Sequence, residues 1–186
     1  MINKQFCLKI FTNTMSLEKD KIVGAYKKLL RCDEYLLLND VNERSITHKL
    51  GEYLQEEFAE YNIDCEYNDN LGDPKNIEPW NSLKDNLINE LANESLSERR
   101  KENIEKMLNG EVSVYPDIII HHRGTKNNYI VIEAKKQKNN IGSDMEKLQS
   151  YKQSLGYQKA FFVTFITGVG TKEYTDRMIN DLVEEI

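Results

Sequence analysis

With 186 residues, 39% of them hydrophobic and 30% charged, the chain is long enough to bury a core and fits one domain, with or without an insertion. Its formal net charge of −6 argues against a general nucleic-acid coat protein, which would be basic, but leaves room for a local basic groove on an acidic remainder. No apolar run approaches the ~20 residues of a membrane helix, and the three scattered cysteines, Cys7, Cys32 and Cys65, fit reduced thiols in a cytoplasmic protein better than disulfides or a CxxC metal site.

The first residues carry neither the long apolar run nor the small-residue cleavage site of a signal peptide, and residues 1–14 read as an upstream extension. Residues 17–38 are predicted as a helix, with Ile22, Val23, Tyr26, Leu29 and Leu30 at helical spacing. A second helix is predicted over 42–61, with Ile46, Leu50, Tyr53, Leu54 and Phe58 as its stripe, followed by a short alternating strand over 63–67. Residues 69–79 are turn-rich, and 80–109 read as two helical pieces split near Asn93–Ser95, with Gly110 as C-cap. Residues 69–109 are therefore expected to form a helical insertion, packed as an appendage at one side of the sheet and leaving the motif described below open. A protein-binding arm is an alternative use for it.

The last third is richer. Val112–His122 reads as a strand interrupted by Pro116, Arg123–Asn128 as a polar turn and Tyr129–Lys136 as the second strand of a hairpin. An amphipathic helix over 142–155 leads to the wholly apolar strand Lys159–Ile166, and residues 171–186 are predicted as a closing helix. A helix crossing between the strands at 129–136 and 159–166 makes them parallel.

Chemistry concentrates on the hairpin. Pro116-Asp117 lies on its first strand and Glu133-Ala134-Lys135 near the end of its second. Alternation puts Glu133 and Lys135 on one face and Ala134 on the other. The short turn lets Asp117 and Glu133 approach across the ladder, where two carboxylates repel unless a cation lies between them. Hard oxygen donors, with the Ala134 carbonyl as a third, suit Mg²⁺ or Mn²⁺. Lys135 is placed to orient a water or offset charge on a phosphate. Ordinary surface charges are the bland alternative, but Ile118, Ile119, Ile120, Ile130, Val131 and Ile132 mark these as core strands. Charges at the rim of a core cost free energy unless paired or bound.

Pro-Asp followed by Glu-Ala-Lys closely resembles the signature of the PD-(D/E)XK nuclease superfamily, within a context spanning about residues 40–168. The resemblance implies a single α/β domain over 1–186 with a restriction-endonuclease-like αβββαβ core, a mixed central sheet flanked by helices, and the insertion at 69–109. It implies a Mg²⁺- or Mn²⁺-dependent nuclease hydrolysing phosphodiester bonds, most naturally in DNA, with Asp117, Glu133 and Lys135 catalytic and Asp117, Glu133 and Ala134 holding the metal. A helix before the sheet often adds an acidic ligand in that superfamily. Glu43 falls within the angular sector of Ile46, Leu50 and Leu54, where it can be that ligand or simply favour the helix dipole. Some relatives carry Gln-x-x-x-Tyr on the helix after the motif. Here Lys147 stands four residues before Tyr151, a departure that still allows Lys147 to reach a phosphate. Gln153 and Tyr157 fit the letters but lie at the helix end.

His48 points away from the apolar stripe and is expected to be mainly exposed, whereas His121 and His122 lack metal-spaced partners, so structural roles are expected for those two. The basic runs Lys135, Lys136, Lys138 and Arg99, Arg100, Lys101 are either solvated charge or a groove for nucleic acid. A homodimer would suit cutting of two strands, and no membrane partner is expected. The acidic balance and small size keep an alternative open, a non-catalytic nuclease-fold binding or regulatory module in a larger complex.

Overall fold

The computed structural model describes residues 16–70, 72–136, 141–170 and 173–186. The expectations for residues 1–14, for Cys7 and for Lys138 lie outside the described residues. Helix α1 (Leu17–Cys32) starts at Ser16, whose side chain accepts from the Lys19 amide at 3.3 Å, satisfying one of the free N–H groups of the first turn. The single helix expected over 17–38 is broken at Asp33, and α2 (Glu34–Leu38) follows. The break frees the Asp33 carboxylate to accept a hydrogen bond from the Tyr53 hydroxyl of α3 (Glu43–Glu57), tying the end of one helix to the next. Asn42 caps α3 through the Ser45 amide at 2.8 Å, which makes Glu43 the first helical residue. The helix stops at Glu57, before the expected Tyr61.

Strand β1 (Asn62–Cys65) lies close against α3 because Gly51 carries no side chain: a Cβ there would sit 2.9 Å from the Cys65 sulfur. The turn-rich stretch makes two small ladders. Strand β2 (Asp69–Asn70) pairs with β3 (Asp73–Pro74), and β4 (Asn76–Ile77) pairs with a later strand. Helices α4 (Asn81–Leu91) and α5 (Glu98–Leu108) follow, and Gly110 takes the left-handed φ of +89° that ends α5. The strand expected over 112–122 is two strands in different sheets. Strand β5 (Val112–Ser113) joins β4, and β6 (Ile118–His121) enters the central sheet. Pro116 lies between them, where a residue with no N–H cannot continue a ladder.

Strand β7 (Asn128–Lys135), helix α6 (Ile141–Leu155) and strand β8 (Lys159–Thr164) follow as expected, with β7 and β8 parallel. The closing helix expected over 171–186 is only α7 (Asp176–Asp181), and the chain continues as β9 (Val183–Glu185), antiparallel to β8. The segment Val183-Glu184-Glu185 covers an edge of β8 that would otherwise present unpaired backbone. The result is a mixed five-stranded sheet in the order β1-β6-β7-β8-β9, flanked by helices. Among the described residues no helix is long and apolar enough to cross a membrane.

Alternation along the strands builds two cores. Ile118, Ile120, Ile130, Ile132, Phe161 and Val163 pack on α1 and α3, while Ile119, Val131, Ala160 and Phe162 pack with Leu148, Tyr151 and Leu155 of α6. The insertion belongs to the second core and is more than an appendage. Ile77 is buried in it beside Val112 and Val114, which follow the insertion, with Trp80, Leu83 and Met107 packed alongside. Trp80 Nε1 donates to Ser143 Oγ at 3.1 Å, and the Ser82 amide donates to Glu146 Oε2 at 2.8 Å. These contacts hold the arm against α6.

A polar clasp joins α1 to the sheet. Glu18 accepts from Lys159 Nζ at 2.7 Å and from the Tyr129 hydroxyl at 2.6 Å, and Ser16 Oγ donates to Glu185 Oε2 at 2.6 Å. The Lys159 hydrogen bond, then that of Tyr129, holds the Glu18 carboxyl down at about 2 against an ordinary 4.5. A carboxyl whose folded value is depressed adds stability above its unfolded value and loses it as pH falls toward the folded one. Glu18→Gln is therefore expected to cost about 1–2 kcal/mol at neutral pH, allowing for solvent screening of a partly exposed pair. Thermal melts of the two proteins should converge as pH falls from about 5 to about 2. A gap that stays constant over that range would assign the cost to lost packing.

Candidate active site

The ladder between β6 and β7 ends at Ile118 and Ile132, so Glu133, Ala134 and Lys135 run past the start of β6 while β8 still pairs with them on the other side. Asp117 lies in this gap, one residue before β6 rather than on it. Its Oδ2 accepts from the Ala134 amide at 2.8 Å, taking the place of the missing ladder partner. N–H and C=O of one strand residue point to the same side, so the Ala134 carbonyl also faces the Asp117 gap. Pro116 thus opens the sheet where the acidic residues gather.

Glu133 and Lys135 project from one face toward α6, and Ala134 toward the other, as alternation predicts. Glu133 is buried at 4% exposure. Its Oε2 accepts from Lys147 Nζ at 2.7 Å, and its Oε1 has no hydrogen-bond partner. Burial, then the charge of Asp117, raises its carboxyl above the ordinary range, with Lys147 opposing. Asp117 is likewise raised, by burial first. The Ala134 N–H and Lys147 oppose the shift, and the charge of Glu43 adds to it. Asp117 and Glu133 are close enough for the charge of Asp117 to act on Glu133. The Tyr151 hydroxyl is buried beside Glu133, whose charge helps burial to raise it, yet it makes no hydrogen bond of ordinary geometry.

Lys135 donates to Asp144 Oδ2 at 2.5 Å, and Asp144 is buried in the first turn of α6. Glu43 arrives from α3 and accepts from the Lys136 amide at 2.8 Å, capping the end of β7. The structure thus brings Asp117, Glu133, Ala134, Lys135, Glu43 and Lys147 to one end of the sheet. Lys147 is not extended toward solvent but bound to Glu133. Asp144 was missed from the sequence, although its spacing to Lys147, Leu148 and Tyr151 puts it on the same helical face. A cavity of 510 Å³ lined by Arg44, Glu66, Tyr115 and Asp117 gives access to the acidic side.

Three other expectations concern the histidines. His48 is exposed. His121 Nε2 lies 2.8 Å from Asp64 Oδ2, which also receives Arg123 Nε at 2.8 Å. His122 stacks on Tyr61 at 4.6 Å. His48 is thus exposed as expected, His121 and His122 match structural roles, and His121 pins β6 to its neighbour β1.

Among the described residues no three His, Cys, Asp or Glu side chains form a ready-made metal cluster. The donors on hand are two carboxylates, a backbone carbonyl and Glu43 nearby. Their chemistry fits a hard divalent cation, because the buried Glu133 and the half-buried Asp117 converge with one Glu133 oxygen unsatisfied. No family model, curated protein or solved structure matches the chain.

Proposed function

We propose that this protein is a Mg²⁺- or Mn²⁺-dependent nuclease of the PD-(D/E)XK, restriction-endonuclease-like kind, hydrolysing phosphodiester bonds with DNA as the first substrate to test. The observation that carries the proposal is the convergence of Asp117 and Glu133 in the opened end of the sheet, with Lys135 on the same face as Glu133. The order α3, β1, β6, β7, α6, β8 supports it, since it is the αβββαβ order of that superfamily with the insertion placed after β1.

In this proposal Asp117, Glu133 and the Ala134 carbonyl hold the cation, while Glu43, bound to the Lys136 amide, acts on Asp117 by its charge. A divalent cation supplies Lewis acidity toward a phosphate and acidifies a water molecule. Lys135 stabilises charge that develops on the scissile phosphate, and Asp144 aims its ammonium. Arg44, exposed at the cavity rim and paired with Glu66, and Lys136, paired with Asp40, are the cations that would have to exchange those partners for a phosphodiester backbone.

The test is incubation with labelled linear, circular and branched DNA, and with RNA, in Mn²⁺ or Mg²⁺. Cleavage abolished by a chelator is expected. A second reading, the non-catalytic module, has its own observation: Glu133 is already neutralised by Lys147. Absence of both metal binding and cleavage of every substrate would favour that module.

A further inference from the structure

Two lysines approach the acidic end of the sheet, and they are held differently. Lys135 is taken by Asp144. Lys147, one helical turn farther along α6, is on Glu133 Oε2 at 2.7 Å, with side-chain exposures of 21% for Lys147 and 5% for Glu133. An ammonium there neutralises one carboxylate, but it leaves Glu133 Oε1 without a partner and leaves Asp117 crowded against the same group. A monovalent donor on one side cannot satisfy two converging carboxylates. In that same position Lys147 Nζ lies 5.5 Å from the centre of the Tyr151 ring, within cation–π range. With 21% of its side chain exposed, Lys147 has a way from Glu133 toward solvent.

We propose that Lys147 is a resident counter-ion that occupies the cation's place on Glu133 and is displaced from it when a divalent metal binds, becoming free to meet the substrate's phosphate. The proposal rests on the metal-dependent reading above. It assigns Lys147 as a positioning residue whose two partners, Glu133 and phosphate, are used in turn. Binding of metal and freeing of this lysine are then one coupled event, which prevents the phosphate-binding charge from being presented before the metal is in place. Such coupling is reciprocal: whatever weakens the Lys147–Glu133 pair strengthens metal binding.

The experiment uses the full chain with Mn²⁺ alone. Calorimetry is run on the wild type, Lys147→Gln, Lys147→Arg and Asp117→Asn. In parallel the wild type is acetylated with an amine-reactive reagent, with and without Mn²⁺, and the rate at Lys147 is followed by mass spectrometry. Lys28, which pairs with Glu56 and Glu57 on the other side of the sheet, is the internal control. Lys147→Gln is expected to bind Mn²⁺ at least about five-fold tighter than wild type, at the lower end of ordinary site coupling. Lys147→Arg should stay near wild type. Acetylation of Lys147 should speed up several-fold on Mn²⁺ saturation while Lys28 is unchanged. The labelling arm needs no variant, so poor folding of Lys147→Gln would not remove the test, and mere charge repulsion at a distance would not alter it.

Mn²⁺ binding by the wild type that Asp117→Asn abolishes, with Lys147 labelling unchanged by the metal, overturns the counter-ion and leaves the metal site standing. Binding by Lys147→Gln alone supports the counter-ion in its strongest form, a lysine that outcompetes Mn²⁺. Failure of both the wild type and Lys147→Gln to bind Mn²⁺ overturns the metal-dependent reading, and the counter-ion with it.

Discussion

Lys135→Ala is expected to keep the metal and lose most cleavage, whereas Asp117→Ala is expected to lose both. A protonated ammonium has no lone pair for a cation, so Lys135 acts on phosphate or water and is not a ligand. Removing one group that stabilises transition-state charge commonly costs about 10²–10³ in rate. Asp117 differs because it is both an oxygen donor and the acceptor that closes the Ala134 amide. Its loss should weaken metal binding by more than about a hundredfold, since even the outer partners of a ligand are worth about 10–100-fold. Asp117→Asn keeps an acceptor for Ala134 and should melt near the wild type, separating ligand loss from damage to the sheet. Mn²⁺ calorimetry, a cleavage assay and thermal melts on all three variants read these effects. Cleavage by Lys135→Ala at the wild-type rate would remove Lys135 from the catalytic set. Full metal affinity in Asp117→Ala would move the cation elsewhere.

The largest stability effect is expected from Phe162→Ala. Phe162 stands on β8 between β7 and β9, opposite Glu133 and Glu184, and is fully buried in the core that also holds Leu148 and Tyr151. The neighbouring strands fix its backbone, so the cavity left by a missing ring cannot readily collapse. Truncations of this kind cost about 3–5 kcal/mol. For a domain of this size that lowers the melting temperature by roughly 10 °C. Urea unfolding with an unchanged slope would confirm a pure stability loss. A cost below about 1.5 kcal/mol would mean the site relaxes, and that the layer beneath Glu133 is looser than its packing implies.

Much of the chain was legible because its signals were periodic. The hairpin, the crossover helix and the parallel apolar strand follow from alternation and helical spacing, and the shared face of Glu133 and Lys135 follows from the pleat. The ends of elements were less legible because tertiary partners set them. Nothing local to Asp33 announces that it will accept from Tyr53 and break a helix. Residues 183–185 carry a strand signal too short to stand without the bare edge of β8. At the site, the positions of Asp117 and Glu133 could be inferred, but the choice of partners could not. Whether Lys147 meets Glu133 or solvent, and which carboxylate takes Lys135, depends on how α6 seats on the sheet. The helical spacing of Asp144 to Tyr151 was present all along, yet it gains meaning only once Glu133 and Lys135 are known to face that helix.

The clasp at Ser16, Glu18, Lys159 and Glu185 has a bearing on the route by which the molecule assembles. Ser16 and Glu185 are 169 positions apart, so their bond closes a ring of almost the whole chain. The entropy lost in closing a ring rises only with the logarithm of its length, but it must be met before the contact returns anything. The β6–β7 hairpin needs no such excursion. Nucleation is thus expected around the strands that bear Asp117 and Glu133, with α1 and β9 sealing the assembly last. By the same logic, transient fraying begins at the clasp and reaches the acidic end of the sheet only when the whole domain gives way.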